Sequence, residues 1–228
     1  MPAAIALAYA VVLARPQMVF AYELRADNVV LHARAPLPPQ AAAIAATARQ
    51  RVSRSPFYTP TDTYDVFLCD TPALFAFFAP IHHNAGGVAD VYLTRDVFLR
   101  PAHVERDRLV GPSGAEAAGD RTLGYFIAHE ITHIMTARRL GRRGYFALDT
   151  WQSEGYADYV GKGGSFDAAA VLRDFKARTP ALDPKRSGLY LRYHLLVAHE
   201  LDDMGMTPQA LLSGAMPAAP IEAELSAK

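Results

Sequence analysis

The chain is short of the features that mark several large classes of protein. Of its 228 residues only one is cysteine, Cys69, which excludes an internal disulfide and a cysteine-based zinc site. Neither sign of charge is in excess: 23 Lys and Arg stand against 23 Asp and Glu. Without a basic surplus, nucleic acid is not expected as a main partner, because phosphate contacts rest on Lys and Arg. No apolar run approaches the roughly 20 residues that a membrane-spanning helix needs. Internal repeats and low-complexity tracts are missing too, although alanine is abundant. What is present is a hydrophobic content of 51%. That suffices for a substantial core in one domain, or in two small lobes sharing a cleft.

The most informative stretch is Asp120–Leu140, DRTLGYFIAHEITHIMTARRL. Leu123, Ile127, Ile131 and Ile134 recur at helical spacing, Asp120 suits an N-cap, Arg138 and Arg139 suit the negative end of the helix dipole, and Gly141 suits a stop. At its centre His129-Glu130-Ile131-Thr132-His133 forms an HExxH pattern. Residues four apart share one face of a helix, so His129 and His133 can aim both imidazoles at one metal ion, with Glu130 beside them to act on a water. A hydrolytic zinc site takes three protein ligands and keeps one position open. After an intervening gap of 20 residues, Glu154 in WQSEGYADY can supply the third from an antiparallel helix, with Asp149 and Asp158 next in line. Four residues beyond Glu154, Asp158 falls on the same face and can hold a ligating imidazole by its second nitrogen.

With these residues in place the chain resembles the gluzincin metallopeptidases, the branch that contains thermolysin-like and M1-aminopeptidase-like enzymes. The match is HExxH followed by Glu154-Gly155-x-Ala157, with Asp158 placed as in the thermolysin-like branch, and it covers residues 120–160. The metzincin branch would need glycine at 136 and histidine at 139, where this chain has Thr136 and Arg139. The resemblance implies an α+β, zincin-like fold: a small mixed sheet in the N-terminal half packed on an active-site helix, and a mainly helical C-terminal half. It implies zinc as cofactor, a peptide or protein as substrate, and peptide-bond hydrolysis with Glu130 as the base. A donor for the oxyanion is then needed, and Tyr190, Tyr193 and His194 are the candidates, with Tyr145 outside that group. Two rival readings stand beside this one. The first is a catalytically inactive zincin-like binding or scaffolding protein that keeps its metal; the second is a metal-free, membrane-tethered interaction domain.

Elsewhere the pattern alternates strand and helix signals. Residues 1–20 form a possible signal or anchor segment: Met1–Ala14 lacks charged side chains, and Ala8-Tyr9-Ala10 is a conceivable cleavage signal, but no Lys or Arg precedes it. Export or membrane tethering is the expectation there, with a buried first element as the alternative. A β-rich lobe is expected over 21–115 and a helical lobe carrying the zinc site over 116–228. Strands are expected at Val29–Ala33, Thr63–Cys69 and Val88–Thr94, and helices at Ala41–Val52 and Ala73–Phe78. By resemblance Val88–Thr94 is the sheet edge that pairs with a peptide. His82-His83 reads as loop surface. Pro101–Gly119 reads as a linker or mobile loop. Further helices are expected at Phe166–Arg178, at Gly188–Met204 with Gly205 as its stop, and at Gln209–Leu212 behind Thr207-Pro208, with a loosely held tail from Pro217. Arg138, Arg139, Arg142 and Arg143 read as a solvated helix end, or as a contact for acidic substrate residues or lipid headgroups.

Overall fold

A computed structural model describes residues 2–182 and 189–228. Its frame is a five-stranded mixed sheet of β1 (Tyr22–Ala26), β2 (Val29–Ala33), β3 (Tyr64–Leu68), β4 (Gly87–Ala89) and β5 (Val97–Leu99), in the spatial order β1-β2-β3-β5-β4. The central strands β2, β3 and β5 run parallel, while β1 and β4 are antiparallel edges. Parallel strands covered on both faces read as continuous apolar runs, and β2 is buried at every position. Side chains of β3 and β5 divide by parity, as a strand requires. Val66, Leu68, Val97 and Leu99 join the main core, whereas Phe67 and Phe98 turn to a second, aromatic cluster with Phe20, Phe75 and Phe78.

Helices cover both faces. On the main-core side lie α2 (Gln40–Val52) and α4 (Leu123–Phe146), joined by α5 (Thr150–Lys162). The core they share draws on Leu31 and Ala45 as well as on Ile131, Trp151 and Leu196, so the N-terminal and C-terminal halves hold one core in common. On the aromatic side lie α1 (Pro2–Ala14) and α3 (Pro72–Phe78). Val12 and Leu13 pack there, and the Tyr9 hydroxyl donates to the Phe77 carbonyl at 3.0 Å. The expected anchor segment is thus a helix laid against α3; no described helix is long and apolar enough to cross a membrane. The C-terminal half adds α6 (Ala168–Lys176), α7 (Leu189–Ala198) continued by a π-helical turn over His199–Asp203, α8 (Pro208–Leu211) and α9 (Ala218–Ala227). The architecture is α+β with a small mixed sheet and a largely helical second half.

Several expectations need correction. Pro101–Gly119 is not a linker: it forms the short hairpin β6 (Ala102–His103) and β7 (Arg108–Leu109), closed further by a Val110–Glu116 bridge. Asp107 then fastens it to α4, its carboxylate accepting from the Gly124 amide at 2.9 Å. Proline and glycine mark turns equally in tight hairpins and in loose loops, which is why the pattern misled. The expected strand Val88–Thr94 is cut short at Ala89, because the Asp90 carboxylate accepts from the amides of Tyr92, Leu93 and Thr94 and curls the chain into a turn. The return strand β5 was not expected at all. The tail is held rather than loose, with Ile221 and Leu225 of α9 buried. Residues 183–187 of the expected loop, and the expected helix start at Gly188, lie outside the described residues. His82 and His83 are exposed loop residues, and Thr207 caps α8, both as expected.

Candidate metal centre

Helix α4 presents the HExxH face because its opposite face is apolar: Leu123, Ile127, Ile131 and Ile134 are all buried in the core. Its N-cap is Thr122, whose hydroxyl accepts from the Tyr125 amide at 3.1 Å, and not Asp120, which instead pairs with Lys162 at 2.7 Å. Helical geometry does break at Gly141, where φ is +71°. One further turn, Arg142–Phe146, follows the break. A continuous helix would carry Tyr145 roughly 18 Å along the axis from His133 at 1.5 Å per residue. The reversal at Gly141 instead brings its hydroxyl to 3.0 Å from His133 Nδ1. The neighbouring arginines fix this turn: Arg138 pairs with Asp62 at 2.8 Å, Arg139 donates to Gln209 at 2.8 Å, and Arg142 bonds the Tyr92 carbonyl.

Helix α5 runs alongside. Asp149 is its N-cap, its amide donating to Gln152 Oε1 at 2.9 Å, and it lies outside the group of converging ligand atoms. Gly155 lets α7 approach, since a Cβ there would stand 2.6 Å from the Tyr193 carbonyl oxygen. His133 and His129 face Glu154 while Tyr125 faces Asp158, the order of an antiparallel helix pair. His129 Nε2 lies 3.2 Å from His133 Nε2, and Glu154 Oε2 lies 3.3 Å and 3.7 Å from these two nitrogens. All three ligand atoms fall within 4.8 Å of one another. Two imidazoles and one carboxylate converging on a point, with no fourth protein donor among them, match the donor set of an open zinc site.

The ionisable groups at that point shift one another strongly. Burial alone would raise the pKa of Glu154, but His133 and His129 outweigh it and hold the carboxyl well below its usual range. Burial lowers and Glu154 raises the pKa of His133, with Glu154 prevailing. Glu130 is buried beside the ligands, and desolvation pushes its carboxyl up despite both histidines. Its place is set by β4: a Cβ on Gly87 would stand 2.9 Å from Glu130 Oε1 and Cγ. Edge strand β4 therefore passes directly over the Glu130 side chain.

Around the centre the sequence expectations divide. Tyr190 and Tyr145 line the same cleft as His129, Glu130, His133 and Glu154, a cavity of about 480 Å³ bounded by the β4 edge. Burial, followed by the charges of Glu154 and Glu130, raises the pKa of both tyrosines, so both hydroxyls stay protonated donors. The Tyr190 ring meets His129 edge-on at 5.5 Å. Tyr193 lies outside the cleft lining. His194 does too: it is 2% exposed, stacked on Phe166, with Nδ1 2.8 Å from Asp158 Oδ2. Asp158 thus does not reach a ligating imidazole itself. Its other oxygen accepts from the Tyr125 hydroxyl, which lies 3.5 Å from His129 Nδ1. Tyr125 and Tyr145 are the residues that meet the outer nitrogens of the two histidines, and sequence reasoning missed Tyr125. Its position one helical turn before His129 was the available signal. Comparison with protein-family models, with curated proteins and with solved structures gives no match, and the reading of this centre therefore rests on its own geometry.

Proposed function

We propose that the protein is a zinc-dependent peptide-bond hydrolase with a zincin-like fold, built around His129, His133 and Glu154. The observation that carries this reading is a buried carboxylate, Glu130, outside the ligand group yet beside its three converging atoms and beneath the terminal strand of the sheet. A purely structural metal site has no use for a base and closes its fourth position with another ligand. That argues against the inactive-scaffold alternative. Zinc, when bound, acidifies a water and polarises a carbonyl.

The chain's own residues supply the rest. As the terminal strand of the sheet, β4 offers an edge to an extended peptide beside Gly87, the Ala89 carbonyl being already engaged by the Val91 amide at 3.0 Å. Glu130, desolvated and so more basic than an exposed carboxylate, takes a proton from water and returns it to the leaving amine. Tyr190 and Tyr145, as protonated hydroxyls on the cleft wall, are placed to donate to a developing oxyanion. Ile81 and Tyr92, both exposed, add apolar surface to the cleft lining on which a substrate side chain can rest. The test uses purified protein and a mixed peptide library. Cleavage should appear with a zinc stoichiometry near one, stop on chelation and return with zinc, and be absent in Glu130→Gln at unchanged zinc content. A Glu130→Gln protein with full activity, or a wild-type protein that holds zinc and cleaves nothing, would defeat the proposal.

A further inference from the structure

The molecule has a second cavity, of about 460 Å³, that the metal chemistry does not use. Gly163, the C-cap of α5, lines it together with the helix residues Tyr156, Tyr159 and Val160. At about 100° per residue these lie roughly 140–240° around the helix from Glu154, so the cavity occupies the face of α5 turned away from the metal centre. Its volume is in the range of small-ligand pockets.

The walls differ in chemistry. One is the end of α2, which contributes Arg51 and Arg54. Burial lowers the pKa of Arg51, ahead of the opposing influence of Asp107 and Asp120, and its buried Nη1 has no hydrogen-bond partner among the described residues. The Arg51 stem lies across Gly163, whose left-handed backbone (φ +58°) and missing side chain leave the room: a Cβ there would stand 2.8 Å from Arg51 Cγ. Arg54 reaches over the same rim, donating to the Gly163 carbonyl at 2.6 Å. The rest of the lining, from α7, the π-helical turn and the segment leading to α8, is apolar through Ala198, Leu201 and Met206. Its carboxylate, Asp202, is engaged by the Tyr159 hydroxyl at 2.7 Å.

Two arginines and apolar side chains in one lining suit a ligand with one anionic end and one hydrocarbon end. We infer that this pocket binds a small amphiphilic carboxylate, its head on Arg51 and Arg54 and its chain against Leu201 and Met206. The site borders the metal centre's support, because His194 lines the cavity and bonds Asp158.

Octanoate is the probe, titrated calorimetrically into the full chain. One saturable site is expected. Octanol and acetate, each lacking one half of the recognition, should bind at least about tenfold more weakly, and Arg51→Met should weaken octanoate by about 10- to 100-fold, the worth of a charge-assisted hydrogen bond. Ala168→Trp, at an exposed lining position away from the core and the metal ligands, should abolish binding by filling the mouth, and it keeps the test alive if Arg51→Met does not fold. The proposal is overturned if octanoate shows no saturable site, if octanol binds as tightly, or if Ala168→Trp binds like the wild type.

Discussion

Gly87→Ala isolates the contact between the sheet edge and the proposed base. The added methyl would stand 2.5 Å from Leu99 Cδ2 and 2.9 Å from Glu130 Oε1 and Cγ, and both neighbours are buried. Such overpacking costs about 1–3 kcal/mol. In a chain of this length that lowers the melting temperature by roughly 2–12 °C at 2–4 °C per kcal/mol. Leu99 can yield by rotamer, but Glu130 can yield only by moving off its position, and a shift of about 1 Å in a catalytic group costs on the order of 100-fold in rate. None of the three nearest atoms belongs to His129, His133 or Glu154, so zinc affinity should hold within about threefold, well below the loss from removing a ligand or its hydrogen-bonded support. The matched control is Gly86→Ala, whose methyl would stand 2.6 Å from Phe126 Cε1 and touch Leu109 instead. It should lower stability comparably and spare the rate. The assay is kcat/KM on a cleaved library peptide, with zinc content and melting followed in parallel. Equal rates for the two variants, or a Gly87→Ala protein that loses zinc along with activity, would refute the placement of Glu130 beneath β4.

Three further outcomes follow from the same geometry. Glu154→Ala should reduce zinc retention sharply in a chelator competition, since two imidazoles alone bind far less well than three ligands; unchanged occupancy would assign the third ligand elsewhere. Tyr125→Phe should weaken zinc affinity by roughly 10- to 100-fold, the usual effect of removing a ligand's outer partner, and should destabilise the fold by about 1–3 kcal/mol because it leaves one oxygen of the buried Asp158 short of a donor. An affinity equal to wild type would show that the Tyr125 hydroxyl does not position His129. Asp96→Asn concerns pH. Burial, with Thr94 opposing and Asp65 and Asp90 adding, raises the Asp96 carboxyl to about 6. A raised folded pKa means that its favourable contribution is complete below the unfolded value of about 4 and is lost as pH climbs through about 6. The asparagine variant, which has no charge to bury, should therefore gain on the wild type between pH 4 and 7, by up to about 3 kcal/mol at 1.36 kcal/mol per unit. Urea melts at pH 4 and 7 that show the same difference at both would refute this.

The proposed metal ligands were legible because their geometry is local. His129 and His133 need only a helix, and the apolar spacing of Leu123, Ile127, Ile131 and Ile134 supplies that helix without reference to the motif. Glu154 was reached through its gap of 20 residues and the Glu-Gly-x-Ala match, and the helix that Asp149 caps leaves it on the turn after the first. What the sequence hid depends on breaks in regular structure. Tyr145 reaches His133 only because Gly141 adopts a left-handed conformation, and a glycine that reads as a stop says nothing of the direction the chain takes next. Val88–Thr94 reads as one β-rich run, yet a single carboxylate, Asp90, captures three amides and ends the strand at Ala89. The sheet edge over the base is consequently three residues long rather than seven. Asp158 was placed on the correct face, but which group it serves was decided by α7, whose packing against Gly155 delivers His194 to one oxygen while α4 delivers Tyr125 to the other. One buried carboxylate thereby joins three helices. If zinc binds as proposed, the rigidity of His129 depends on how α7 packs, and a change on α7 far from any ligand, such as His194→Phe, should loosen the metal through Asp158 and Tyr125 while leaving Glu130 and the β4 edge untouched.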